Sequence, residues 1–569
     1  MEPSRLSADR PQGYFVQPVE HQPPHEPMPP TSVGCAVTPL IDAAEYTAAL
    51  GNALERVGQG QNPQANAGQC VLVAGWWLGL SRGRFQLAPT TRRSVLGSRS
   101  VAFTDGPPFC LDPWPNPDVT PFEDSPDETT ALLTILKAKA RAGVDVRVLG
   151  WVSPPVMRYS RLARMLGAAH IVAINTLTLR SIQALRAEPA IGGRALPNLA
   201  GHVAGSSHSK IALICDGENT IGFTGGLDCE ISRWARPDHF GKQIWHDVAA
   251  RVEGPVVQTI YDHFKTMWDA NLSRPACRFR IDGDDLMSVL PETPPLPPRV
   301  LPVLPSRGRH QVQGLQTLPT TRPASLNWLP KSVPLLGVPE GLFTYRAALR
   351  KAIAAAQDYV YIEDQFCWSQ EIMRWLNQAL RDRPVLRVLL LLSGVDDPHD
   401  PPLPHEAYLC QAINHGLLVG LSVEEQTRVA AFQRTDVVMH AKTVLIDDAW
   451  AVIGSCNIAQ RSLYTDIEHG VSFIDPEGDL IRQYRARLWT HHFRHGNPAD
   501  FADLSAALNV WQSGWGHPGP VRDRPKWLQP LQLPVKEVPL TSGKRFIYQA
   551  LHDPDSRRRW GGLLPPSLR

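Results

Sequence analysis

The sequence predicts an α/β fold made of two pseudo-twofold-related lobes, each a sheet flanked by helices, and three observations predict it. Helical and strand-like stretches alternate along the chain, the pattern of sheets covered by helices. The same order of elements occurs twice, which marks an internal repeat. The chain has 569 residues, more than one ordinary domain of about 100–200 residues takes up. Its 43% apolar and 20% charged residues are ordinary globular usage and exclude a fibrous or wholly disordered chain.

Proline sets the expected boundaries. The chain holds 53 prolines, about 9% where about 5% is usual. Residues 1–34 read as a disordered Pro-rich lead, and 276–340, with twelve prolines between 288 and 340, as an extended linker. The first lobe is therefore expected at 35–275 and the second at 341–505. Residues 506–569 read as a Pro-rich basic tail, with ten Lys or Arg against four Asp or Glu from Val521 onward, a surplus suited to an anionic surface.

Each lobe is justified element by element. In the first, a helix near Asp42 to Val57 precedes a strand from Cys70 to Trp76, then a helix near Glu128 to Gly143 and a strand from Val144 to Trp151. In the second, Thr344 to Gln357 is helical, Tyr359 to Phe366 a strand, Ile372 to Arg381 helical and Val385 to Leu392 a strand. Each lobe then reaches a His-x-Lys, a strand, a glycine turn, an acidic residue opening another strand, and a last helix.

The second His-x-Lys runs from His440 and Lys442 to Asp447, followed by Gly454-Ser455-Cys456-Asn457 and then Glu468. Residues two apart on a strand share a face, so His440 and Lys442 can address one phosphate while Asp447 points away as scaffold. Lysine brings a point cation, and Ser455 and Asn457 bring turn donors for a phosphoryl oxygen. Glu468 is expected to accept the second ring N–H of His440. The first copy has His208, Lys210, Asp216, Gly225-Gly226-Leu227-Asp228 and Asp247. It departs twice: Asp216 stands one residue further from its lysine, and Asp228 replaces the asparagine. The extra residue implies a bulge or puts Cys215 in the structural place.

These residues resemble the phospholipase D superfamily, whose signature is HxKxxxxD followed by a G-G/S-x-N turn, twice in one chain, and are most like bacterial phospholipase D. The resemblance implies one active site shared by the lobes, with no metal and no cofactor. It implies attack on phosphorus by His208 to give a phosphohistidine, with His440 as acid and then base. Lys210, Lys442, Asp247 and Glu468 complete the catalytic set, Ser455, Asn457, Gly225 and Gly226 bind substrate, and Asp216 and Asp447 are structural.

The leading function is then phospholipase D-type hydrolysis or transphosphatidylation of glycerophospholipid head groups, at a membrane surface approached peripherally. Two alternatives stand beside it. One is a nuclease on the same fold, which wants a basic groove; the net charge of +2 makes nucleic acid an unlikely partner. The other is a catalytically inactive lipid-binding member. A cardiolipin-synthase-like transferase is less favoured, because that branch normally carries membrane spans and no apolar run here nears the roughly 20 residues of a span. Nine cysteines without a CxxC pair fit a reducing compartment, and the first residues have no apolar signal core, so a cytoplasmic location is expected. His491, His492 and His495 read as cations at a helix end. Asp396, Asp397, His399 and Asp400, with His405 and Glu406, read as a polar loop.

Overall fold

In the computed structural model the described residues are 13–15, 29–87, 101–104, 106–114, 126–158, 169–239, 244–272, 277–281, 284–289, 301, 304–320, 335, 338, 340–395, 405–494, 497–512, 525–538 and 553. Seven strands in one spatial order build each lobe. In the first, β1 (Thr31–Ile41), β2 (Cys70–Gly75), β3 (Asp145–Trp151), β4 (Ala195–Asn198), β5 (Lys210–Cys215), β6 (Thr220–Gly225) and β7 (Val248–Glu253) are arranged β4-β3-β2-β5-β6-β7-β1. In the second, β8 (His310–Leu318), β9 (Tyr359–Asp364), β10 (Arg387–Ser393), β11 (Val429–Arg434), β12 (Thr443–Ile446), β13 (Trp450–Gly454) and β14 (Glu468–Ile474) repeat it as β11-β10-β9-β12-β13-β14-β8.

β1 and β8 pair antiparallel, with Thr31 opposite Gln313 and Cys35 opposite His310. They join the lobes into one 16-stranded sheet among the described residues. The pseudo-twofold axis therefore passes between β1 and β8. The sheet folds over this seam, bringing β6 and β7 against β13 and β14.

Helices cover the outer faces: α1 (Asp42–Glu55), α2 (Leu132–Arg141), α3 (Ala169–Arg186) and α4 (Val257–Leu272) in the first lobe, α5 (Thr344–Ala355), α6 (Gln370–Asp382) and α7 (Asp479–Phe493) in the second, then α8 (Leu504–Gln512). The parallel pairs β2-β3-β4 and β9-β10-β11 need crossovers, which α2, α3, α6 and, between β10 and β11, the helix His405–Ala412 supply. α6 shows why such segments are helical. Ser369 caps it by accepting the Ile372 N–H at 3.3 Å, and Ile372, Met373, Leu376, Ala379 and Leu380 form one buried stripe. Buried on both faces, β10 is a near-continuous apolar run.

Three expected boundaries are corrected. The supposed linker 276–340 contains β8, whose Gln313 and Thr317 are fully buried polar residues in the sheet; the surrounding prolines hid its pattern. The supposed disordered lead contains Tyr14 and Phe15, which are buried in the second lobe's core, and β1 begins at Thr31. The supposed tail begins inside α8, whose Trp511 is 1% exposed, and Leu528–Pro530 adds a strand beside β11.

Candidate active site

Both His-x-Lys motifs enter the central hairpin of their lobe. In β5/β6, Lys210 stands opposite Gly225 and Cys215 opposite Thr220. In β12/β13, Thr443 stands opposite Ile453, and the Gly454 N–H donates to the Lys442 carbonyl at 3.2 Å. The two registers superpose Lys210 on Lys442 and Cys215 on Asp447. No bulge is needed, because the first hairpin runs one pair longer.

The two aspartates consequently do different work. Asp447 accepts backbone N–H bonds from Gln357 (2.7 Å), Asp358 (2.8 Å) and Tyr359 (2.8 Å) and the Tyr14 hydroxyl (2.6 Å). It ties the hairpin to the start of β9. Asp216 instead closes its own turn, accepting from the amides of Glu218 (3.0 Å) and Asn219 (2.7 Å), with Arg56 at 3.3 Å.

The histidines exchange carboxylates between lobes, which corrects the expected pairing of His440 with Glu468. His440 Nδ1 lies 2.6 Å from Asp247 Oδ2. His208 Nδ1 lies 3.1 Å from each oxygen of Glu468. Backbone pairing across the lobe boundary is the reason. The His208 N–H donates to Ile467 O at 2.9 Å, and the His440 N–H to His246 O at 2.8 Å. Each histidine is thereby held beside the residue preceding the other lobe's carboxylate. Val438–Met439 runs parallel to Trp245–His246, and Ser207 bridges Ile467 in the same sense.

Lys210 and Lys442 each donate to the backbone carbonyl of the histidine two residues before, which curls the ammonium toward its own imidazole. The group is almost closed: the His208 side chain is 12% exposed, that of His440 4%. Burial, then the Lys210 charge, holds His208 well below the usual imidazole range. Burial, then Lys442 and Arg233, does the same to His440. Burial pushes Asp247 up to about 7; burial, then Asp466, pushes Glu468 up to about 8. Burial also brings Lys442 down to about 8 against the pull of Asp247 and Asp364. The first cause of every shift is the cost of charge in a dry pocket, with neighbouring charges second. Burial thus works against a separated imidazolium–carboxylate ion pair at either histidine.

The other expected binding groups sit differently. The Ser455 hydroxyl donates to Glu468 Oε2 at 2.5 Å, so it orients a carboxylate. Gly225 and Gly226 allow close packing: a Cβ on Gly225 would come within 2.6 Å of the Ala249 Cα, and one on Gly226 would overlap the Asp247 carboxyl. Asn457 is buried, and its Oδ1 accepts no hydrogen bond. Asp228 does not point into open cleft. Its Oδ1 accepts the Trp77 N–H at 3.0 Å, and its Oδ2 lies 3.7 Å from Lys210 Nζ. In the second lobe Asp364, at the end of β9, serves instead, accepting from Phe366 (2.8 Å), Cys367 (2.9 Å) and Ile458 (2.9 Å).

Aromatic rings wall the site. Trp76 meets His208 edge-on at 5.7 Å, and Trp245 meets His440 at 5.6 Å. The Arg233 guanidinium lies 3.5 Å over the Trp245 ring, a cation delivered to the His440 side by a short helix rather than a motif. Of the polar loop, residues 396–400 lie outside the described residues, as does His495. His405 stacks on Phe366 at 5.8 Å. No helix among the described residues is long and apolar enough to cross a membrane.

Residues 349–491 match the family described as cardiolipin synthase, PLD-like domain. Over 261 residues, 46% of this chain, the protein is 22% identical to cardiolipin synthase A of Yersinia pseudotuberculosis serotype O:1b (strain IP 31758). It is 23% identical to cardiolipin synthase A of Serratia proteamaculans (strain 568). The matched stretch spans 43% of the length of each relative. The crystal structure of phosphatidylserine synthase from Haemophilus influenzae Rd KW20 aligns with 84% of this chain and 93% of its own, at 12% identity and a TM-score of 0.41. The family match falls on the second lobe, and the first lobe repeats that lobe strand for strand, down to a His-x-Lys and a carboxylate lent across the axis. The second lobe matches a PLD-like domain, and that likeness supports the phospholipase D superfamily for the chain.

Proposed function

We propose that the protein is a phospholipid-modifying phosphodiesterase that moves a phosphatidyl group from a head-group oxygen to water or to a second alcohol. The phospholipid class is supported by the likeness to cardiolipin synthase A. That likeness also brings transfer, less favoured on the sequence alone, level with hydrolysis.

One observation carries the division of labour. His208 Nδ1 faces both oxygens of Glu468 and also the backbone carbonyl of Ser455, at 3.1 Å. A carbonyl only accepts, so Nδ1 carries the hydrogen and the neutral ring keeps its lone pair on Nε2. That is the nitrogen a nucleophile needs. His440 Nδ1 has a single carboxylate partner in Asp247, which accommodates either ring tautomer and so leaves Nε2 able to bear a proton.

In the first step His208 Nε2 forms a bond to phosphorus while the bond to the head-group oxygen breaks, and His440 Nε2 gives that oxygen its proton. In the second, water or an alcohol gives a proton back to His440 as its oxygen bonds phosphorus, and the P–N bond breaks. Lys210 and Lys442 balance the charge gathering on the phosphoryl oxygens. The test is one panel: head-group release from phosphatidylcholine and phosphatidylglycerol vesicles with and without added glycerol, beside single-stranded DNA. Head-group release, with new phosphatidyl alcohol when glycerol is present, is expected. DNA cleavage with inert vesicles would replace this reading by the nuclease one.

A further inference from the structure

We infer that Asp42, His239, His246 and His491 form a structural zinc site which clamps the two lobes together directly behind the His440–Asp247 pair. The site owes nothing to the phosphoryl chemistry proposed above.

The contacts within the cluster have the separations of a metal's coordination shell. Asp42 Oδ2 lies 3.3 Å from His239 Nε2 and 3.5 Å from His491 Nε2, and those two nitrogens are 3.2 Å apart. Around a tetrahedral zinc with bonds of about 2.0–2.1 Å, ligand atoms stand about 3.3–3.4 Å from one another. His246 Nδ1 is the fourth atom, 3.0 Å from Asp42 Oδ1, and one ligand atom from each of the four residues falls within 4.8 Å of the others.

Asp42 Oδ2 and His246 Nδ1 are buried and make no well-directed hydrogen bond, although each lies within ion-pair distance of a neighbour in the cluster. Asp42 is 1% exposed and His246 0%, so water does not reach them, and an unsatisfied buried carboxylate oxygen is costly. The outer contacts are those a metal site requires. Glu363 Oε2 lies 3.2 Å from His246 Nε2, so it fixes that ring with Nδ1 turned inward, the carboxylate–histidine–metal arrangement. Glu363 Oε1 also holds His492 Nε2 at 2.6 Å.

Three nitrogen donors and one carboxylate suit zinc among the divalent ions. Four protein ligands without an open position make the site structural and not catalytic. Asp42, His239 and His246 come from the first lobe and His491 from α7 of the second. The pseudosymmetric position of His246 is Ile467, before Glu468, and that of Asp42, which opens α1, is Thr344, which opens α5. The cluster therefore has no twin. The Asp247 N–H donates to Asp42 Oδ1 at 3.1 Å, so whatever fixes Asp42 also fixes the backbone of the carboxylate that holds His440.

The full-length chain, purified without a histidine tag or chelator, is expected to carry about one zinc per chain by elemental mass spectrometry. Stripping the metal with a strong chelator is expected to lower Tm by several degrees, and added ZnCl2 to restore it. Cobalt(II) added to the stripped protein should give the intense visible bands of tetrahedral coordination. His239→Ala and His491→Ala should each lose stoichiometric zinc and those bands. Should either variant fail to fold, the stripped wild-type protein still decides. Uptake below about a tenth of an equivalent at saturating ZnCl2, with no movement of Tm, would overturn the proposal and leave a proton-shared histidine cluster in its place. Zinc bound equally by wild type and both variants would overturn it too.

Discussion

His208 and Glu468 belong to different lobes, yet the imidazole Nδ1 sits 3.1 Å from both carboxylate oxygens; His440 and Asp247 repeat the exchange in the opposite direction. Neither lobe holds a complete His–carboxylate pair of its own.

The two histidines separate in a labelling experiment. With a good leaving group, His440→Ala is expected to accumulate acid-labile phosphate on His208, because the later base is missing, while turnover falls by about 10²–10⁴-fold. His208→Ala should take no label. Rapid-quench peptide mapping reads both, and phosphate on His440 in the second variant would reverse the assignment.

The carboxylates separate by leaving group. Asp247→Asn weakens the group that must protonate the departing oxygen, so kcat should drop about 10²-fold for an alkyl diester and far less for a p-nitrophenyl one. Glu468→Gln acts on the nucleophile's partner and should slow both substrates alike. Equal losses for both substrates in Asp247→Asn would place that residue on the wrong histidine.

The pH profile follows from Lys442, Asp247 and His208. Burial lowers Lys442 to about 8, so its ammonium is present below that value and is lost as pH rises through it. The proton proposed to be held between His440 and Asp247, the latter pushed up to about 7, is lost sooner, so kcat/KM for a soluble diester should fall above about pH 7 and further above about pH 8. His208 is held well below its usual range, by burial first, so the imidazole proposed as nucleophile stays neutral through the ordinary imidazole range and the acid limb should lie below that range. A profile already half lost at pH 6.5 would contradict this.

The motif aspartates should differ in stability. Asp447→Ala strips acceptors from three backbone amides and the Tyr14 hydroxyl at a position with φ of 55°, and should cost about 2–4 kcal/mol. Asp216→Ala removes a turn bond with solvent nearby and should cost under about 1 kcal/mol. Urea denaturation checks both, and equal costs would contradict the register that sets Cys215 on Asp447.

Gly226→Ala tests a close approach. Its backbone tolerates alanine, but the added methyl would overlap the Asp247 carboxyl. A loss of about 10-fold or more in kcat is expected, of the order of a displaced acid–base partner, with KM little changed. A rise in KM alone would return this glycine to substrate binding.

Much of this was legible in the chain because it is local. The His-x-Lys spacing, the glycine turns and the carboxylate before each last helix are short patterns, and the repeated order of elements exposed the two lobes. The carboxylate exchange was not legible, since it depends on Met439 pairing with His246 and Ser207 with Ile467, contacts that no strand period encodes. β8 was missed because prolines flank one isolated strand. Asp42 and His239 were invisible as a pair with His491: both adopt left-handed backbone, with φ of 62° and 49°, and no spacing rule links residues from opposite ends of the chain.

The reciprocal loan of carboxylates also limits how the two halves can drift apart. A repeat whose copies were self-sufficient could let one decay into a passive prop. Here, loss of Asp247 from the first copy would strip His440 of its partner in the second, and loss of Glu468 from the second would strip His208 of its partner in the first. Within the loan the copies keep a carboxylate, Asp247 in one and Glu468 in the other, while outside it they change chemistry: Cys215 where its twin has Asp447, Asp228 where its twin has Asn457, and Ala74 where its twin has Glu363.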